Sequence, residues 1–170
     1  MQTREHHLEL ARLSDAPVIA AMSSRLIEAG LTPSWPPERV ARHIRNPDSL
    51  VLTARHSGRI LGFAIMQYGD AAAHLNLLAV ETASHRHGIG RALLGWLEET
   101  AVVAGTFLIQ LEVRASNPAA RAFYESRGYR ETGRVVGYYQ RLEDAIQMER
   151  NLAVPAAPGS RGPAGLSSQA

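Results

Sequence analysis

Residues 75–99 read LNLLAVETASHRHGIGRALLGWLEE, and the order of elements in this stretch decides the fold. Residues 75–80 are apolar apart from Asn76 and too few for a helix of ordinary length, which predicts a buried strand. A polar segment follows and closes on Arg86-His87-Gly88-Ile89-Gly90-Arg91. Leu93, Leu94, Leu97 and Ala101 then recur at three- and four-residue spacing, the apolar stripe of an amphipathic helix. Strand, glycine-containing loop and helix thus succeed one another.

The first turn of a helix carries N–H groups with no partner inside the helix, together with the positive end of its dipole. Such a terminus is a site for an anion. Gly88 and Gly90 allow a phosphate to approach the main chain, and Arg86 and Arg91 add positive charge beside those amides. The same glycine spacing also fits an ordinary tight turn. Gly-Lys-Ser/Thr is missing, so the loop is no P-loop, and Gly-Arg-Ala-Leu stands where a dinucleotide-binding fold would carry its third glycine.

Outward from this stretch, the pattern is mixed. Residues 50–54 and 60–68 flank His56-Ser57-Gly58-Arg59 and read as a β-hairpin. Before them, a strand is expected over 8–13. Ser14-Asp15-Ala16-Pro17 then starts a helix that Gly30 ends, and a second helix, 38–45, stops before Pro47. Trp35, on a proline turn, reads as a packing plug rather than a substrate-lining residue. After the organising helix come a strand over 107–113, a helix over 118–127, and strands over 129–136 and 145–151. The class is α+β, one mixed central sheet flanked by helices on both faces.

A chain of 170 residues, 45% hydrophobic and 20% charged, suits one globular domain, placed at 1–152. Residues 153–170, AVPAAPGSRGPAGLSSQA, lack large apolar anchors and read as a disordered tail. Without cysteine there is neither a disulfide framework nor a thiolate zinc site. The start, MQTREHHLEL, lacks an apolar signal core, and no apolar run reaches the length of a membrane span. A cytoplasmic protein without a membrane partner is expected. The net charge is +2, and all eighteen basic residues are arginine. They are scattered rather than clustered, which argues against a nucleic-acid surface. The seven histidines read as mostly surface residues; His85 and His87 have no carboxylate set beside them, so no metal site is expected.

A second stretch bears on chemistry. In Leu111-Glu112-Val113-Arg114-Ala115-Ser116-Asn117, strand alternation sends Ile109, Leu111 and Val113 to one face and Glu112 to the other. In PAARAFYESRGY, Asn117 suits the N-cap, Pro118 the first helical position and Gly128 the residue past the end. Asn117, Arg121 and Tyr124 fall at i, i+4 and i+7 on one stripe. Spacing alone favours a plain reading: Asn117 caps, Arg121 is solvated and Tyr124 packs its ring.

LLAVETASHRHGIGRALL resembles the coenzyme A loop of the GNAT superfamily of N-acetyltransferases, with His85 where that pattern has Arg or Gln. LEVRASNPAARAFYESRGY resembles a second signature of the superfamily, in the right order. The match is most similar to the ribosomal-protein alanine N-acetyltransferases and covers residues 75–152. The resemblance implies a GNAT-like fold, Glu112 as general base and Tyr124 as general acid. It implies that Leu78, Ala79, Val80, Arg86, His87, Gly88, Ile89, Gly90, Arg91 and Asn117 hold acetyl-CoA. Tyr138-Tyr139 and Glu143-Asp144-Ala145 also resemble the family's C-terminal block, with a shorter segment between them.

Transfer from a thioester needs a neutral amine. An α-amine with pKa near 8 is roughly one-tenth neutral at pH 7, a lysine about once in a few thousand molecules. The implied acceptor is a protein N-terminus. A small-molecule amine is the alternative within the class, and a non-catalytic acyl-CoA-sensing module the alternative outside it.

Overall fold

The structure, a computed structural model, describes residues 5–155. Seven strands form one sheet: β1 (His7–Leu10), β2 (Ser49–His56), β3 (Arg59–Tyr68), β4 (Ala73–Val80), β5 (Leu108–Arg114), β6 (Arg130–Tyr139) and β7 (Glu143–Asn151). Their order across the sheet is β1-β2-β3-β4-β5-β7-β6. Every neighbouring pair is antiparallel except β4 and β5. The helices are α1 (Ala16–Leu26), α2 (Pro37–Arg45), α3 (Ile89–Val103) and α4 (Pro118–Ser126). Of the expected tail, residues from 156 on lie outside the described part.

The sheet has two buried faces, as a sheet covered by helices on both sides requires. Leu93, Leu94, Leu97 and Ala101 of α3 and Tyr124 of α4 pack on one face, against Ala64, Met66, Leu75, Ile109, Leu111 and Val113. Ile19 and Met22 of α1 and Val40 of α2 pack on the other, against Phe63, Ile65, Leu77 and Ala79. Each fully buried leucine of α3 contributes about 1.5–3 kcal/mol by leaving water. Trp35 belongs to the second cluster and is 7% exposed, a packing plug, with the Arg39 guanidinium 3.8 Å above its ring.

One correction concerns the beginning of the chain. The first strand stops at Leu10, because Leu13–Asp15 curls into a 3-10 turn instead of continuing the expected strand to 13. The Asp15 carboxylate accepts the Arg12 backbone N–H at 2.7 Å and the guanidinium of buried Arg55. Asp15 therefore caps the 3-10 turn and makes no side-chain cap to α1.

Two irregularities prepare the site. In β4, Ile65 pairs with Leu77 and Met66 with Leu75, so Asn76 is an extra residue, a β-bulge. Before the bulge Leu75 faces the α3 side; after it Leu77 and Ala79 face the α1 side. The second irregularity is that β4 and β5 pair only at Ala73 with Ile109 and His74 with Gln110. From residue 75 on, β4 has a strand ladder on its β3 edge alone, and a cleft opens between two parallel strands.

Candidate active site

The cleft ends at the head of α3. At Gly62 a Cβ would come within 3.0 Å of the Ala79 carbonyl and 3.1 Å of the Ile89 side chain, so glycine lets the first turn of α3 sit directly on the sheet. Phe123 of α4 packs from the other side, 3.4 Å from a Cβ placed on Gly90. Gly88 caps α3 in the left-handed region, φ +75°, and among the described residues no side chain accepts from the first-turn amides. Those amides have no partner inside the helix and are not taken by any side-chain cap. His87, Arg86 and Gly88 are exposed and Ile89 is buried. Arg86 itself takes φ +66°, a left-handed conformation unusual for a side chain of its size.

His85 departs from the expected arginine or glutamine, and its side chain has a local task. Its Nε2 donates to the Val80 carbonyl at 2.9 Å, tying the loop to the end of β4. Leu78 and Val80 pack partly on the α3 side, while Ala79 is buried on the α1 side. The main chain of these three residues lies beyond the point where β4 and β5 part.

Glu112 lies on the α1 side of β5, opposite Leu111 and Val113, as the alternation requires. Its partner is a residue that sequence reading placed among the surface histidines. His74 Nε2 donates to Glu112 Oε2 at 2.5 Å, and the Glu112 side chain is 17% exposed. His74 is the last β4 residue paired with β5, and its register partner Gln110 precedes Glu112 by two, which brings the two side chains together on one face. Both ring nitrogens of His74 face acceptors, since Nδ1 meets the side-chain oxygen of Asn76, the bulge residue. The imidazolium, with two N–H donors, is the form this setting fits. The Glu112 hydrogen bond raises the His74 pKa, burial opposes it, and the Asn76 bond adds to the rise. Nothing in the sequence spacing links residues 74 and 112; the parallel register does.

A raised histidine pKa fixes the sign of a stability effect. The stabilisation from this pair is full below the unfolded value of about 6.5 and is lost as pH rises through the higher folded value. His74→Asn is therefore expected to lower the urea midpoint most near pH 6 and least near about pH 9. A midpoint difference that stays constant across that range would count against the pair.

Tyr124 sits in the α3-side core, 6% exposed, edge-on to Phe123 at 5.2 Å and Tyr129 at 5.6 Å between centroids. Burial first, then Tyr139, push its pKa well above the ordinary tyrosine value, so the phenol keeps its proton at neutral pH. Tyr139 is raised by burial and then by Tyr138 and Glu112. Asn117 performs the local task spacing suggested: its Oδ1 accepts the Ala120 N–H at 3.0 Å. Arg121 is half-exposed and 3.7 Å from both Glu125 and Glu131.

Sequence reading also passed over Arg114. Two residues beyond Glu112 on the same face, it donates to the carbonyls of Ile27 at 3.1 Å and Ala29 at 2.7 Å, and to Glu143 at 2.6 Å. It anchors the end of α1 and the start of β7 beside Glu112. Strand alternation put Arg114 on that face, but nothing local revealed its partners.

Comparison with known proteins agrees with this geometry. The model of the acetyltransferase (GNAT) domain matches residues 18–148. An uncharacterized N-acetyltransferase of Methanocaldococcus jannaschii is 35% identical over 138 residues, 74% of this chain and 85% of that protein. The crystal structure of the ribosomal-protein-S18-alanine N-acetyltransferase from Escherichia coli superposes with a TM-score of 0.75 at 30% identity, covering 93% of this chain and 99% of that one. PaiA N-acetyltransferase from Thermoplasma acidophilum, solved in complex with coenzyme A, shares the fold with a TM-score of 0.74 at 18% identity, covering 86% and 99%. Among the described residues, no helix is long and apolar enough to cross a membrane.

Proposed function

The chain belongs to the acetyltransferase (GNAT) domain family and is an N-acetyltransferase, and from that premise we propose that it moves the acetyl group of acetyl-CoA to the N-terminal α-amine of a protein. One observation carries this reading. The parallel strands β4 and β5 part after two residue pairs, with Glu112 and His74 beside the opening and the head of α3 beyond it.

The residues present fit coenzyme A. Uncapped amides at the start of α3, with Gly88 leaving open space above them, suit a pyrophosphate, and Arg86 and Arg91 add charge. The β5-facing edge of Leu78, Ala79 and Val80 suits the amides of a pantetheine arm, which would pair with main chain as a strand does. Asn117, at the head of α4, caps with its oxygen, and among the described residues no partner takes its side-chain NH2, which suits the same ligand. Acetyl-CoA supplies an acetyl group already activated as a thioester.

On the acceptor side, Glu112 takes a proton from the ammonium group, directly or through a water, and His74 holds the carboxylate in place. The amine nitrogen then bonds to the acetyl carbon while a β4 amide N–H donates to the carbonyl oxygen, where negative charge develops. Tyr124 gives its phenolic proton to the sulfur as the carbon–sulfur bond breaks; the nitrogen loses its second proton as the amide forms, which restores the Tyr124 phenol through solvent, and the proton held by Glu112 is released to solvent. The protein N-terminus as acceptor is supported by the likeness to the Escherichia coli enzyme that acts on the alanine of ribosomal protein S18. It is also supported by amine chemistry, since an α-amine presents far more neutral nitrogen at pH 7 than a lysine does.

The test is an acceptor screen with acetyl-CoA, comparing peptides with free N-termini, lysine peptides with blocked N-termini, and small amines, read by product mass. Acetylation at the terminal nitrogen is expected. Turnover on small amines alone would reassign the acceptor, and acetyl-CoA binding without turnover on any amine would leave a sensing module. The cofactor half is tested separately. Gly88→Val places a β-branched residue at φ +75°, costing about 1–2 kcal/mol of stability. It also fills the space over the α3 amides, and coenzyme A affinity by calorimetry is expected to fall about tenfold or more, the loss of roughly one charge-assisted hydrogen bond.

A further inference from the structure

We propose that Arg114, Glu143 and Ser116 form a clamp that fixes the helix carrying Tyr124 against the strand carrying Glu112, and so sets the spacing of acid and base for acetyl transfer. This deepens the transfer reading above and rests on it.

The clamp is built at the turn between β5 and α4. Only Ala115 and Ser116 lie between Arg114, the last strand residue, and Asn117, the N-cap of the helix. Glu112 stands two residues before Arg114 and Tyr124 seven after Asn117, so the shape of this turn governs the separation of the two groups. The Asn117 N–H donates to the Arg114 carbonyl at 2.9 Å, which closes the turn, and the Ala115 N–H donates to the Asp144 carbonyl at 3.0 Å. Ser116 gives its backbone N–H to Glu143 Oε1 at 2.9 Å, and its hydroxyl to the same oxygen. The other oxygen, Oε2, accepts Arg114 Nε–H at 2.6 Å. Residues 114 and 116 are thereby held to one carboxylate, and the turn cannot swivel without breaking a charge-assisted bond.

Arg114 is itself fixed from behind. Its Nη1 donates to the carbonyls of Ile27, the C-cap of α1, and Ala29, at 3.1 and 2.7 Å. The planar fork of a guanidinium suits this double task, with Nε aimed at the carboxylate and Nη1 at the carbonyls. The segment after α1 has a second tie, to the β6–β7 turn. Gln140 Nε2 donates to the Thr32 carbonyl at 2.6 Å and Gln140 Oε1 accepts the Thr32 N–H at 3.0 Å. Replacing Arg114 therefore leaves that segment tethered and confines the change to the β5–α4 turn.

Magnitudes separate positioning from stabilising here. The Arg114 and Glu143 side chains are 20% and 15% exposed, and Ser116 is exposed. An ion pair in reach of solvent adds little to stability. Placement matters more, since a shift of about 1 Å at a reacting centre costs about 10²-fold in rate. Loss of the clamp is thus expected to act on turnover far more than on folding.

The experiment uses full-length protein with acetyl-CoA and the acceptor found by the amine screen. Glu143→Gln keeps an oxygen for Ser116 and loses the charge facing Arg114, while Arg114→Met removes the fork. Each is expected to lower kcat about tenfold or more, with the KM for acetyl-CoA within about twofold of wild type. The thermal midpoint should fall by no more than about 4 °C. The double variant should be no slower than the slower single by more than about twofold, because both changes remove one device. Ser116→Ala, which keeps the backbone bond, is expected to lose about threefold in kcat. Hydrogen exchange at the Ala120 and Arg121 amides, which Asn117 accepts, should quicken about tenfold in Glu143→Gln, with β2–β3 amides unchanged. Losses that multiply in the double variant, or an unchanged kcat in Glu143→Gln with an active wild type, overturn the clamp and leave the transfer reading intact. A wild type without turnover on any amine overturns both.

Discussion

Glu112→Gln is expected to lower kcat/KM for the acceptor amine about 10²- to 10⁴-fold near neutral pH, the range in which a positioned general base contributes. The amide is nearly isosteric, so the contact to His74 survives in weaker form and the fold is retained; what goes is the ability to take a proton. Coenzyme A affinity should be unaffected, because the uncapped amides of α3 and the free edge of β4 do not involve this side chain. The deficit should shrink as pH rises, since the amine then arrives already neutral and needs no base. Kinetics from about pH 6 to about pH 10 with a peptide acceptor check this. A variant with normal turnover at neutral pH would remove Glu112 from the proton path.

Tyr124→Phe is expected to reduce kcat about 10²-fold, within the range of a lost general acid, with acetyl-CoA binding and thermal midpoint little changed. The ring contacts to Phe123 and Tyr129 persist in phenylalanine, so the packing of α4 is preserved. Burial holds the Tyr124 proton in place at neutral pH, which suits a group that gives it up only when a thiolate forms nearby. Weakened binding with unchanged turnover would instead assign Tyr124 to holding the ligand.

How much of this was legible in the chain differs from residue to residue. Residues 75–99 announced strand, loop and helix because an apolar run, two glycines and a leucine stripe are local signals, read within one element. Asn117, Pro118 and Gly128 defined α4 for the same reason, and the Asn117 cap is where spacing put it. The alternation around Leu111 put Glu112 on the face away from the α3 core. The first strand was drawn too long because the carboxylate that curls residues 13–15 is held by Arg55, forty positions away.

By itself, the sequence determined the element order, the two covered faces of a mixed sheet and the glycine-led head of α3, since each depends on a few neighbouring residues and their preferred torsions. Only the tertiary structure decided that β4 and β5 part after His74, that this histidine meets Glu112, that Arg114 anchors α1 and that Gln140 reaches Thr32. The first two follow from strand register and from one extra residue at Asn76, and the last two from side chains that reach main chain more than eighty residues away. Pairing two strands is a contest among whole faces of side chains, settled by the packing of the complete core and not by any segment alone.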